Sequence, residues 1–173
     1  MDTTTIALRV LHIGCGVFWA GAAMMLVGFV EPTVRRMGPE GGRFMQHLMG
    51  ASRFPKAMAL AGTVTVLSGL ALFWSSSGGV SAAWLQSGHG LAITLGSLAG
   101  IGAFLVGALV NGPTAARLGA LAARLETSSG PPPHEIRATF ARLQQRLRDG
   151  GRRATLLIAA SVAAMAVSRY VVW

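Results

Sequence analysis

The sequence predicts an all-α integral membrane protein: a four-transmembrane-helix bundle built from two duplicated parallel-repeat hairpins. Three observations carry this. Of 173 residues, 52% are hydrophobic and only 12% charged, a balance outside the range of soluble domains. Four long apolar runs are each able, at about 1.5 Å per residue, to cross a hydrocarbon layer of roughly 30 Å. A Pro-Thr…Arg…Gly motif occurs twice, at the same place after the first and third runs. The chain therefore reads as a single membrane domain, 1–173.

The first helix spans about Ile6 to Val30, with Pro32 and Gly38 expected to end it. It is too long and too lightly charged at its start for a cleaved signal peptide. His12, Cys15, Gly16, Trp19 and Ala23 share one side of a 3.6-residue wheel, so an imidazole heads a stripe bordered by small residues. An ionisable side chain inside a span is costly and is expected to face the bundle interior. Next comes a short amphipathic helix at the membrane surface, about 41–53, with Phe44, Met45, Leu48 and Met49 on its apolar face and His47 pointing elsewhere. The thioethers around His47 suit Cu(I), but both methionines already have a packing role. The second helix, about Ala57 to Trp74, carries Thr63, Thr65 and Ser68, hydroxyls expected to bond back to their own helix. Trp74 and Trp84 suit an aromatic belt.

The third helix, about His89 to Val110, places Ala92, Gly96, Gly100, Ala103 and Gly107 beneath His89 on one side. Such a groove serves as a helix-packing seam, or as a seam and a cofactor wall together. The connection 111–153 contains two basic helical stretches, Ala115 to Leu125 and Glu135 to Arg148, around a Ser128 to Pro133 break, with His134 solvated. The fourth helix, about Ala154 to Trp173, carries Arg169 near its end, where the side chain can snorkel.

Fifteen Lys and Arg against six Asp and Glu leave a net charge of +9. Their distribution points to a membrane and not to nucleic acid. Five of them lie between Arg35 and Lys56 and eight between Arg117 and Arg153, while Ser75 to Gly88 has none. The positive-inside pattern puts connections one and three in the cytoplasm and both termini outside a multi-pass inner (plasma) membrane protein. Attraction to anionic lipid follows. A lone cysteine, Cys15, excludes an intrachain disulfide and reads as a small buried residue.

The duplication is read from Pro32-Thr33-Val34-Arg35-Arg36-Met37-Gly38 against Pro113-Thr114-Ala115-Ala116-Arg117-Leu118-Gly119. Further on, Arg43, Gln46, Leu48 and Arg53 match Arg142, Gln145, Leu147 and Arg152. The copies are parallel repeats about an axis along the membrane normal. His12 lies 20 residues before Pro32 and His89 lies 24 before Pro113. The difference is about one helical turn, which keeps both imidazoles on the same side of their helices. If the hairpins pack face to face, His12 and His89 approach one ligand from opposite sides.

Two axial histidines over walls of Gly16, Gly96 and Gly100 suit haem b in an electron-transfer or oxidoreductase role. Arg9 and Arg169 are candidates to pair with the propionates, or to anchor the interface. The run Leu11-His12, Phe18-Trp19-Ala20-Gly21 and Pro32 resembles the first hairpin of a broad group of small four-helix membrane proteins. That group includes the copper-resistance D-type domains, the HemJ-type protoporphyrinogen oxidases and uncharacterised relatives. The resemblance covers about the first seventy residues, and the remainder through the repeat. It implies that His12 matches a proposed haem ligand, and that His89 matches a histidine followed by a lysine. Leu91 stands where that lysine is expected, a departure that counts against oxidase activity and leaves haem open.

Two other classes stand beside haem. A copper-handling protein would use the histidines with Met24, Met25 or Cys15. A cofactor-free subunit, as a homodimer or within a larger membrane complex, would need only small-residue seams and a basic face. No carboxylate lies within the membrane core, which argues against a transporter built on buried acids. No phosphate-cradling loop, Ser-His-Asp set or zinc cluster is present.

Overall fold

A computed structural model describes residues 2–126 and 133–171. Among them four helices are long and apolar enough to cross a membrane, covering Thr3–Arg36, Phe54–Ser76, Gly88–Leu125 and His134–Tyr170. The protein is a multi-pass all-α membrane protein. Helix α1 (Thr3–Met25) runs through a π turn (Leu26–Val30) into α2 (Glu31–Arg36). Helix α3 (Pro39–Gln46) and a second π turn (His47–Ala51) lead to α4 (Phe54–Ser76). After the short α5 (Ala82–Gln86), α6 (Gly88–Val106) passes through a third π turn (Gly107–Asn111) into α7 (Gly112–Glu126). Helix α8 (His134–Val167) ends in a 3₁₀ turn, Ser168–Tyr170.

Each hairpin packs chiefly on itself, α1 with α4 and α6 with α8, and the hairpins meet through α4 with α6 and α1 with α8. The order around the bundle is therefore α1, α4, α6, α8. Antiparallel pairing places the starts of α1 and α6 with the ends of α4 and α8. The opposite end carries the arginines of α2, α3, α7 and the first half of α8. At 34 residues, α8 is about 51 Å long, so its basic half extends with α7 beyond the apolar layer.

The expectation that Pro32 ends the first helix is corrected. A proline removes one helical N–H, and its ring crowds the carbonyl four residues back. The chain answers with a widened turn before the proline, where the Glu31 N–H bonds the Leu26 carbonyl five residues back, and α2 then continues through Pro32. Before Pro113 the Gly112 N–H bonds the Gly107 carbonyl in the same way. The two π turns occupy the same register relative to their prolines, a structural counterpart of the duplicated motif. The copies diverge afterwards. Gly38, at φ +61°, breaks the helix before Pro39, whereas Gly119 precedes an alanine and α7 runs on through it. The first span is thus longer than 6–30, and the third continues past Val110 without a break. The Ser128 to Pro132 segment, and the end of the fourth helix at Trp173, lie outside the described residues.

The α4 to α5 turn takes three successive positive φ values, at Gly78, Gly79 and Val80. Glycine accepts this region freely, but the β-branched Val80 at φ 68° does not. Ser77, 1% exposed, holds the turn: its hydroxyl donates to the Trp74 carbonyl at 3.3 Å and accepts the Val80 N–H at 2.9 Å. Val80→Gly is expected to raise stability against denaturation in detergent by up to about 1 kcal/mol, the relief of strain exceeding glycine's entropy cost.

At the chain's beginning, the Asp2 carboxylate caps α1 by accepting the Thr5 N–H at 2.8 Å. Hydrogen bonds from the Thr5 side chain and then its backbone hold the Asp2 carboxyl below its ordinary value. A depressed folded-state value means the cap contributes fully above the unfolded value and is lost as pH falls through the folded one. Amide exchange in the first turn, referenced to Asp2→Asn at each pH, should show protection falling only in the wild type on acidification.

Candidate functional site

The polar feature that α1 and α4 build together is the seat of His12. Its half-buried ring turns toward α4, where Nδ1 lies 2.8 Å from the Thr65 carbonyl oxygen. A carbonyl only accepts, so Nδ1 carries a proton, and in the neutral ring this tautomer leaves the Nε2 lone pair open. The Thr65 and Ser68 hydroxyls bond back to the Ala61 and Val64 carbonyls, at 2.7 and 2.5 Å, as their sequence context suggests. Ser68 also reaches the Thr65 carbonyl at 3.2 Å. The peptide oxygen, and not the threonine side chain, engages the histidine.

Space for the ring comes from Gly69. A Cβ there would stand 2.8 Å from His12 Cε1 and 3.0 Å from Nδ1, too close to be tolerated without displacing the imidazole. One turn along α1, a Cβ at Gly16 would meet Thr65 Cγ2 at 3.5 Å, an ordinary contact. Deeper still, Trp19 meets Phe104 edge to face, with centroids 6.4 Å apart. Gly62 lies against both rings, at 3.3 Å from its would-be Cβ, so α1, α4 and α6 close on one another there.

His89 has a different setting. It is exposed in the first turn of α6, edge to face with Trp84 at 6.1 Å between centroids. Trp84 in turn meets Phe73 of α4 at 5.2 Å, so this tryptophan packs between α4 and the start of α6. Phe73 is one turn beyond Gly69 toward the end of α4, and both histidines therefore belong to the same end of the bundle. Their contacts differ: His12 engages its own hairpin partner α4 and does not face the opposing hairpin, because the Gly69 notch and the Thr65 carbonyl lie on that side.

The glycine groove of α6 is occupied by α8. A Cβ at Gly96 would meet Met165, the Ser161 carbonyl and Ala164 at 3.1, 3.2 and 3.3 Å, and one at Gly100 would meet Ser161 Oγ at 3.0 Å. Gly96 and Gly100 thus make a helix-packing seam and leave no width for a macrocycle between α6 and α8. Of the residues considered for a haem, His12 has the donor chemistry that would hold its iron, with one ring nitrogen engaged by a carbonyl and the other left for a ligand contact. Arg9 and Arg169 are exposed at the same end. Arg9 lines a shallow apolar hollow with Ile6, Val10, Ile13 and Gly14, and Arg169 stacks on Tyr170 at 4.8 Å and donates to its hydroxyl at 2.6 Å. Cys15 is half-buried with a free thiol. Among the described residues no three or more His, Cys, Asp or Glu side chains gather where they could hold a metal ion.

Sequence reasoning missed the Thr65 carbonyl and Gly69. A backbone acceptor leaves no trace in residue type, but a glycine within a transmembrane helix, one residue after Ser68, does signal close approach. Gly69→Ala should destabilise the protein by about 1–3 kcal/mol through overpacking. In a His12→Ala background most of that cost should vanish, a coupling read from a double-mutant cycle of unfolding in detergent.

Comparison of the chain with protein-family models, with curated proteins and with solved structures found no match.

Proposed function

We propose that this protein is a haem b-binding membrane protein with an electron-transfer or oxidoreductase role, and that His12 is an axial ligand. The observation that carries the reading is the Nδ1–H bond from His12 to the Thr65 carbonyl at 2.8 Å. It sets tautomer and ring orientation together and leaves Nε2 for a ligand contact, and metal-ligating histidines commonly donate their other ring N–H to a carbonyl in this way. His89, at the same end and exposed, would serve as a second ligand only by meeting the haem outside the seat of His12, since the His12 ring turns toward α4. The haem would supply one-electron chemistry. The chain's own part is to hold the His12 ring in the Gly69 notch, to fix its orientation through the Thr65 carbonyl, and to surround it with apolar helix. Arg9 and Arg169 are the groups proposed to receive the propionates.

The sidedness belongs to the same proposal. The arginine end would face the cytoplasm and the histidine end the outer side of a cell inner (plasma) membrane, supported by the thirteen basic residues of connections one and three and the uncharged second connection.

A second reading is a cofactor-free subunit of a larger membrane complex or a homodimer. It is favoured by Gly96 and Gly100 being engaged by α8, which accounts for that seam without any ligand. Copper handling through His12 with Cys15, Met24 or Met25 is separated from both by metal analysis.

The test is the visible spectrum of the full chain, expressed with haem available, beside His12→Ala and His89→Ala. A reduced-form Soret band should be abolished in His12→Ala and shifted or lost in His89→Ala. A colourless wild-type protein that is folded, free of copper and unable to take up added haem would remove the proposal in favour of the subunit reading.

A further inference from the structure

A hollow of about 400 Å³ opens at the arginine end, lined by Arg43, Gln46, His47, Gly50 and Ala51. The first four follow at three- and four-residue spacing, so α3 and its π turn present them along one side. Arg43 and His47 are exposed, while Met45, Leu48 and Met49 are half-buried. Gly50 is exposed and borders open space, a Cβ there meeting nothing within 4 Å. Ser52 pins the corner that follows: its hydroxyl donates to the Leu48 carbonyl at 2.6 Å and accepts the Phe54 N–H at 3.0 Å. Phe54 begins the apolar span of α4, so the hollow borders the basic end of that span.

The second copy of the repeat supplies an internal comparison. In the register that matches Arg43, Gln46 and Arg53 with Arg142, Gln145 and Arg152, Gly50 corresponds to Asp149. There Gln145 Nε2 donates to Asp149 Oδ1 at 2.9 Å, and Arg148 donates to Gln145 Oε1 at 3.2 and 2.5 Å. A carboxylate of the chain itself closes that network. In the first copy glycine stands in the acid's place and no carboxylate lines the hollow. Guanidinium, carboxamide and imidazole donors border a space to which, among the described residues that line it, no anion is supplied.

We infer that this hollow binds the phosphodiester headgroup of an anionic phospholipid, held by Arg43, Gln46 and His47. Arginine's planar fork matches two phosphate oxygens, and the surrounding positive charge favours an anionic lipid over a zwitterionic one. The site lies at the opposite end of the bundle from His12, and the inference is independent of haem.

The full chain in detergent, titrated with dioleoylphosphatidylglycerol or dioleoylphosphatidylcholine and followed by native mass spectrometry, tests it. The wild type should retain one phosphatidylglycerol in preference to phosphatidylcholine. Gly50→Asp, which supplies the carboxylate of the second copy, and the double variant Arg43→Gln/His47→Gln should each weaken retention by about fivefold or more, the effect of a single charge at the surface. Arg142→Gln should leave it unchanged, and circular dichroism should show all variants fully helical. Equal retention by the wild type and both hollow variants, or no preference between the two lipids, would overturn the inference. Displacement of the lipid by millimolar glycerol 1-phosphate would also overturn it, in favour of a soluble phosphate ester.

Discussion

Close approach of antiparallel helices at missing side chains is the constraint on which the rest of this bundle depends. In a membrane the apolar faces of helices gain little by leaving lipid, so association rests on packing and on the few polar contacts made between helices. Each major contact here has a small residue at its centre: Gly69 beneath His12, Gly62 beneath Trp19 and Phe104, and Gly96 and Gly100 against Ser161. Gly150 continues the series at the basic end, where an added Cβ would collide with Asn111 Oδ1, a buried oxygen without a hydrogen-bond partner. Lipid-facing side chains such as Val17, Phe29, Leu67 and Leu109 remain exposed on the outside, as expected where the solvent is hydrocarbon.

The second constraint is that backbone groups within the membrane be satisfied by the chain itself. Prolines near the ends of the first and third spans threaten that requirement, and the π turns before Pro32 and Pro113 meet it without ending the helix. The first and third spans therefore run on into the polar helices α2 and α7 at the basic end. The hollow between Arg43 and Ala51 lies beyond the Gly38 break, on α3 and its π turn, and the Ser52 corner follows it.

Within the duplicated frame the two halves have separated in chemistry. Counting from the prolines, Ile93 and not His89 takes the place of His12, and the extra turn puts His89 at the helix start beside Trp84. One imidazole is held by a peptide carbonyl inside a hairpin and the other is exposed at the end. At the basic end the same drift replaces Gly50 with Asp149. In both places a symmetric scaffold carries an asymmetric pair, one member engaged by the chain's own groups and one exposed.

By itself the sequence determined the class of the molecule, the four spans, the basic and uncharged connections and the duplication. These depend on composition, hydrophobic run length and motif register, which act locally and are written in consecutive residues. It also singled out His12, because an ionisable group inside an apolar run is costly wherever the helix packs. Only the tertiary structure decided what each small residue is for. The α6 glycines look the same in sequence whether a macrocycle or a helix fills them, and α8 fills them. The partner of His12 is a main-chain oxygen, common to every residue type and therefore silent in the sequence. Whether Pro32 breaks a helix or is absorbed by a wider turn depends on neighbouring helices that keep the segment packed. The direction in which His12 points, toward α4, follows from the notch that Gly69 leaves across the hairpin, a contact between residues 57 positions apart in the chain.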